Sequence, residues 1–270
     1  MRRRLLATAL CLVAGAALSG CASTAEQGDG AAPATPLAFA ASPAAERPSL
    51  VQSGGLAGRT LTIRRIEDIR LKPREVVLTF DDGPMPGKTE AILRALDNKG
   101  VRATFLMVGQ MAKAYPAIAR KVAAAGHTIG THTENHRNLA QMRTAAAEVQ
   151  IAAGRRSVAT ALVPTGYRPA PFFRFPYLAD THTLRRHLAQ QGTVVIDVER
   201  VQARGSGIIL MHDIHARTVA MLSGLLDELH RKGFKVVHLR PAAGSTGDQM
   251  LLSSTATRHG TVAYAIPSGR

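Results

Sequence analysis

Six polar residues at four separate places in this 270-residue chain carry chemistry that a core does not need: Asp81 and Asp82, His132 and His136, Arg174, and His212. Asp81 and Asp82 are adjacent and followed by Gly83 and Pro84. Neighbouring carboxylates at a strand end point apart, so one can ligate while the other reacts, although Asp, Gly and Pro together also make an ordinary turn. His132 and His136 stand four apart, a spacing that lets two imidazoles meet one metal on a helical turn and equally suits two surface histidines. Glu134 is second after His132 and not directly after it, which disfavours a zincin-type metalloprotease. Two histidines and one carboxylate form a facial ligand set with open positions, better suited to a hydrolytic metal than to a closed structural one.

These residues need elements to position them, and the apolar pattern supplies a set. Glu75 to Phe80 reads as a buried strand, Lys88 to Lys99 as a helix closed by Gly100, and Ala103 to Val108 as the next strand. A helix over Pro116 to Ala125, stopped by Gly126, leads to a strand at His127 to Thr131. Further on come a helix near Met142 to Ala153, strands at Phe172 to Phe175, Thr193 to Asp197 and Ile208 to Met211, a helix at Thr218 to Lys232, and a strand at Phe234 to Leu239. Such alternation implies an α/β fold with parallel strands and flanking helices, as an open sheet or a barrel. Working residues in that architecture collect at the carboxyl ends of strands. Asp81 and Asp82, His132 and His136, Arg174 and Tyr177, and His212 and Asp213 all follow proposed strands.

Four stretches resemble the motifs of the polysaccharide deacetylases, the NodB-like family 4 carbohydrate esterases. Thr79 to Pro84 is similar to the first motif, His132 to His136 to the His-Ser/Thr-any-any-His motif, Arg174 to Tyr177 to Arg-any-Pro-Tyr, and Leu210 to His212 to Leu-any-His. The resemblance spans roughly Arg74 to Leu239 and implies a deformed (β/α) barrel of the NodB-homology type. It implies that Asp82, His132 and His136 hold a divalent metal, zinc with cobalt or nickel as alternatives. Asp81 would be the general base, held ionised with a lowered pKa by Arg174, and His212 the acid that protonates the departing amine. Tyr177 would offer its backbone N–H to the oxyanion, and Leu210 would face the acetyl methyl. The implied reaction is hydrolysis of an N-acetyl group on an N-acetylglucosamine polysaccharide, releasing acetate.

One motif is missing. The family places an Asp-Trp pair ahead of the final Leu-any-His strand, whereas this chain has no tryptophan and shows Asp197, Val198, Glu199 and Arg200 there. Asp197 is the candidate for the carboxylate that tunes His212. With the crossover before Gly205 shortened, the last strands are expected to pack irregularly. An alternative is therefore a carbohydrate-binding lipoprotein that has lost turnover.

The ends and the composition set the context. Met1 to Arg4 are positive, Leu5 to Ala17 small or apolar, and Leu18, Ser19, Gly20 and Cys21 resemble a bacterial lipobox. The expected organisation is a lipoprotein signal over 1–20 with Cys21 lipidated, a low-complexity linker over 22–58, the catalytic domain over 59–240, and a tail over 241–270. Exported, membrane-anchored material facing the periplasm or cell envelope follows from it. Cys11 and Cys21 are the only cysteines, so the domain has neither a disulfide framework nor a cysteine metal site. The formal charge is +15; removing the first 20 residues takes away three arginines and no acids, leaving +12. That charge is spread without a basic arm, so no nucleic-acid partner is expected.

Overall fold

The computed structural model describes residues 55–198 and 205–243. The expected signal, lipidated Cys21, most of the expected linker, nearly all of the tail, and Glu199 and Arg200 lie outside the described residues, and the first strand already begins at Ala57, two residues inside the expected linker. The chain runs β1 (Ala57–Ile63), β2 (Glu75–Asp81), α1 (Lys88–Asn98), β3 (Thr104–Met107), α2 (Gly109–Ala114), α3 (Pro116–Ala124), β4 (Thr128–Thr131), α4 (Thr144–Leu162), β5 (Phe172–Phe173), α5 (His182–Gln190), β6 (Val194–Val195), β7 (Gly207–His212), α6 (Ala216–Arg231) and β8 (Lys235–Pro241). Every strand pair is parallel. The strand order is β1-β8-β2-β3-β4-β5-β6, and β7 pairs with β2.

Local chemistry explains the elements. All seven residues of β2 are buried, as a parallel strand covered on both faces requires. Glu90 accepts a hydrogen bond from the Gly87 N–H at the start of α1, and Ile92 and Leu96 bury one face of that helix. Gly100, at φ 62°, turns the chain out of it, with its N–H donating to Asp97 O and that of Val101 to Leu96 O. Leu222, Leu226 and Leu229 recur at helical spacing on the buried side of α6.

Outside the strands, α1, α3 and α6 pack Leu96, Val122 and Leu226 against Leu78, Phe80 and Phe105. On the other face, Ile63, Val77, Leu106, Phe172, Ile208 and Leu239, each from a different strand, share a second core. Each such side chain, fully buried, contributes about 1.5–3 kcal/mol. The Thr128 hydroxyl of β4 donates to Leu239 O of β8 at 2.6 Å, although β2 and β3 separate those strands in the ladder. The sheet is thus curled as the expected barrel demands; among the described residues no strand pairing joins β6 back to β1.

Three elements escaped the periodicity. Only six residues form α2, α5 (HTLRRHLAQ) buries just Leu184 and Leu188, and β1 is largely exposed. In addition α4 runs to Leu162, well past Ala153. The irregularity expected of the last strands takes a definite form: β7 pairs with β2 from Val76 to Asp81, while β8 touches β2 only at Glu75 and Val76.

Candidate metal centre

Strand β2 ends on Asp81 and the chain turns at Asp82, which takes a left-handed φ of 79°. The two carboxylates consequently diverge. Asp81 faces Arg174, whose Nη1 donates to Oδ1 at 2.8 Å, and Asp82 faces the histidines. The turn rests on Asp213, a buried side chain directly after β7 that accepts a hydrogen bond from Thr89 Oγ1 at 2.6 Å. A Cβ on Gly83 would lie 2.0 Å from Asp213 Oδ2, so residue 83 has room only for glycine. Burial, opposed by the Thr89 bond, lifts the Asp213 carboxyl to about 7.

His132 follows β4 and His136 closes the next turn. The four-residue spacing suits a helical turn; the structure instead has a tight non-helical turn with Thr133 at φ 66° and His136 at φ 58°. The turn is closed by the His136 N–H donating to Thr133 Oγ1 at 3.0 Å. His132 Nδ1 lies 2.8 Å from Arg174 O. A carbonyl only accepts, so Nδ1 carries the proton and the Nε2 lone pair faces Asp82. Burial pushes His132 down to about 3, against the pull of Asp82 and of the bond to Arg174 O, so this imidazole is neutral at ordinary pH.

Asp82 Oδ1 stands 3.5 Å from His132 Nε2 and 3.2 Å from His136 Nε2, buried and accepting no hydrogen bond. A carboxylate oxygen facing a neutral ring's lone pair is repulsive without a cation between them. The three ligand atoms all lie within 4.8 Å of one another. Tetrahedral ligands about 2.0–2.1 Å from zinc stand about 3.4 Å apart, which matches the two measured separations. The neutral His132 tautomer and the unpartnered Asp82 oxygen therefore fit a divalent cation.

Arg174 is 1% exposed. Besides Asp81 it donates through Nη1 to Thr79 Oγ1 at 2.9 Å and through Nε to Ile196 O at 2.9 Å. Its charge acts on Asp81 as expected, but burial is the larger influence. The Asp81 carboxyl is raised, not lowered.

Comparison with known proteins decides the family. Residues 68–196 match the family model described as polysaccharide deacetylase. The solved family 4 carbohydrate esterase from Streptomyces lividans is 31% identical, with a TM-score of 0.53 over 60% of this chain and 91% of that one. This chain belongs to the polysaccharide deacetylase family. It is also 30% identical, over 61% of its length, to a peptidoglycan N-acetylglucosamine deacetylase of Listeria monocytogenes, but spans only 38% of that protein. A chitooligosaccharide deacetylase of Sinorhizobium fredii is 29% identical over 64% of this chain and 96% of the relative.

The structure of this deacetylase-family chain brings most of the remaining candidates to one edge. Asp81 and His212 are register partners on β2 and β7, with His212 Nε2 4.0 Å from Asp82 Oδ2. Tyr177, at φ 60° and 68% exposed, sets its ring edge-on to His136 at 4.8 Å between centroids. Leu210 lies half-buried on β7 opposite Thr79. Asp197, the candidate tuning carboxylate, accepts from Arg185 at 2.7 Å, and Arg185 also pairs with Asp180. Sequence reasoning did not assign Asp213 its place beneath the first turn; its position directly after His212 at a strand end was the available signal.

Proposed function

We propose that this chain is a metal-dependent hydrolase removing N-acetyl groups from an N-acetylglucosamine-containing polysaccharide of the cell envelope or an exported glycan. The reading rests on one observation above all: a buried, unpartnered Asp82 oxygen facing two imidazoles beside the Arg174-held carboxylate of Asp81. The glycan class draws support from the named activities of the Listeria and Sinorhizobium relatives.

Asp82, His132 and His136 would hold the cation, zinc by preference of the donor set, with cobalt or nickel as substitutes. When bound, a divalent cation polarises the amide carbonyl and brings the pKa of a water from 15.7 towards about 7. Asp81 takes the proton released as water attacks the acetyl carbon. Arg174 occupies its Oδ1 and leaves Oδ2, 4.0 Å from His132 Nε2, turned to the site. The Tyr177 N–H donates to the developing oxyanion, a contact worth about 3–4 kcal/mol, and Leu210 packs on the methyl. His212, whose side chain is 39% exposed at the site's rim, gives its proton to the nitrogen as the C–N bond breaks. Acetate and a free amino sugar result.

Acetate release from N-acetylglucosamine oligomers, measured with and without chelator, tests this. Release that stops on chelation and returns with zinc is expected; tight glycan binding without release would favour the alternative of a glycan-binding lipoprotein. That second reading draws on the missing Asp-Trp pair and on Asp197 being engaged by Arg185. The lipobox-like Leu18–Cys21 supports a membrane anchor facing the periplasm or cell envelope. Loss of a fatty-acid label in Cys21→Ala tests that placement.

A further inference from the structure

The turn between the two histidine ligands is gripped from outside by two helices. On α2, the N–H groups of Gly109 and Gln110 donate to the carbonyls of Thr133 and Glu134, both at 2.9 Å. On α4, Gly154 presses so closely that a Cβ there would lie 2.4 Å from Thr133 C and O and 2.9 Å from Glu134 N. The Glu134 side chain turns inward between the helices. Its Oε2 accepts from Ser157 Oγ at 2.7 Å, its Oε1 pairs with Lys113 Nζ at 2.6 Å, and a Cβ on Gly109 would meet Oε2 at 2.2 Å.

A turn with two non-glycine residues at positive φ does not hold that shape unaided. We infer that Glu134 is a positioning residue: bridging Lys113 on α2 and Ser157 on α4, it fixes the turn so that His132 and His136 present their Nε2 atoms to one cation. The inference rests on the metal reading above and extends it, because Glu134 touches neither the ligand atoms nor a substrate. Its carboxylate joins Lys113 and Ser157 across the seam where α2 and α4 already pack on each other, a polar link that a shorter or apolar side chain at 134 would remove, with the Ser157 hydroxyl buried opposite it.

The test is metal affinity of the purified apo protein, by Zn²⁺ competition against a chromophoric chelator and by the visible absorption of the Co²⁺ form. Glu134→Ala is expected to weaken Zn²⁺ binding by about tenfold or more and to alter the Co²⁺ spectrum. Glu134→Gln, which keeps the length and the Ser157 bond, should recover most of that affinity. Val122→Ala, a buried truncation on α3, controls for general destabilisation and should lower the melting temperature without touching affinity. Glu134→Ala binding with the parent's affinity and spectrum overturns the inference, as does an equal loss in Val122→Ala. Should Glu134→Ala fail to fold, Ser157→Ala takes its place, with a several-fold loss expected and none overturning. A parent chain that takes up no metal at all sinks the underlying reading instead, so the two failures are distinguishable.

Discussion

Asp81 and His212, 131 positions apart in the chain, stand side by side at the same level of two hydrogen-bonded parallel strands, the last residue of β2 beside the last of β7. The proposed base and the proposed acid thus sit on one rigid ladder. The Asp213 N–H donates to Asp81 O at 3.2 Å just beyond it, tying the two strand ends together.

Asp81→Asn should lower the rate of acetate release by about 10²–10⁴ while metal still binds, because Asp82 and the histidines are untouched. Acetate assay and metal content on the same sample check this. Unaltered turnover would remove Asp81 as the base.

Arg174→Met leaves Asp81 a buried carboxylate without its cation and strips the donors from Thr79 and Ile196 O. Removing one partner of a buried ion pair costs on the order of 3–5 kcal/mol. Urea unfolding should show a loss of that size, and Arg174→Lys, which keeps the charge but not the fork, should fall between.

Gly83→Ala should fail at the site before it fails in the fold. The new methyl drives Asp213 off its position, with a cost of about 1–3 kcal/mol for overpacking, and the Asp81–Asp82 turn moves with it. A drop in Zn²⁺ affinity together with a modestly lower melting temperature is expected; parent values for both would show that the turn yields freely.

Acid stability should be limited in part by His127, far from the reaction. Its ring lies against Phe105 and its Nδ1 accepts from the Ala103 N–H at 3.1 Å. Burial, aided by Arg102, pushes it down to about 3 from an ordinary 6.5. Because the folded pKa is the lower one, its stabilising effect is complete above pH 6.5 and is lost as the pH falls towards 3, where the unfolded chain alone binds the proton. The slope is about 1.4 kcal/mol per pH unit, or about 2 kcal/mol between pH 6.5 and 5. Urea midpoints across that range should fall less steeply in His127→Asn than in the parent.

Much of the site was legible in the residues themselves, because carboxylates and imidazoles at strand ends have few structural reasons to be there. The parallel alternation followed from Val, Leu and Phe runs in β2 and β3 and from the glycines after α1 and α3. What escaped were properties of the assembled fold. The pairing of β7 with β2 depends on strands distant in sequence, so no local pattern records it. The turn carrying His132 and His136 is non-helical because α2 and α4 pack on it, although its spacing suits a helix. Asp81 is raised because β2 is buried on both faces, a sum over many neighbours that outweighs the single Arg174 visible in the sequence.

The Nε of Arg174 holds Ile196 O, one residue ahead of the place where the family's Asp-Trp pair is missing. The guanidinium that orients the proposed base is therefore also a mooring for the chain just before that departure. A substitution at Arg174 would therefore release Ile196 at the same moment as Asp81, loosening two strand ends through one side chain.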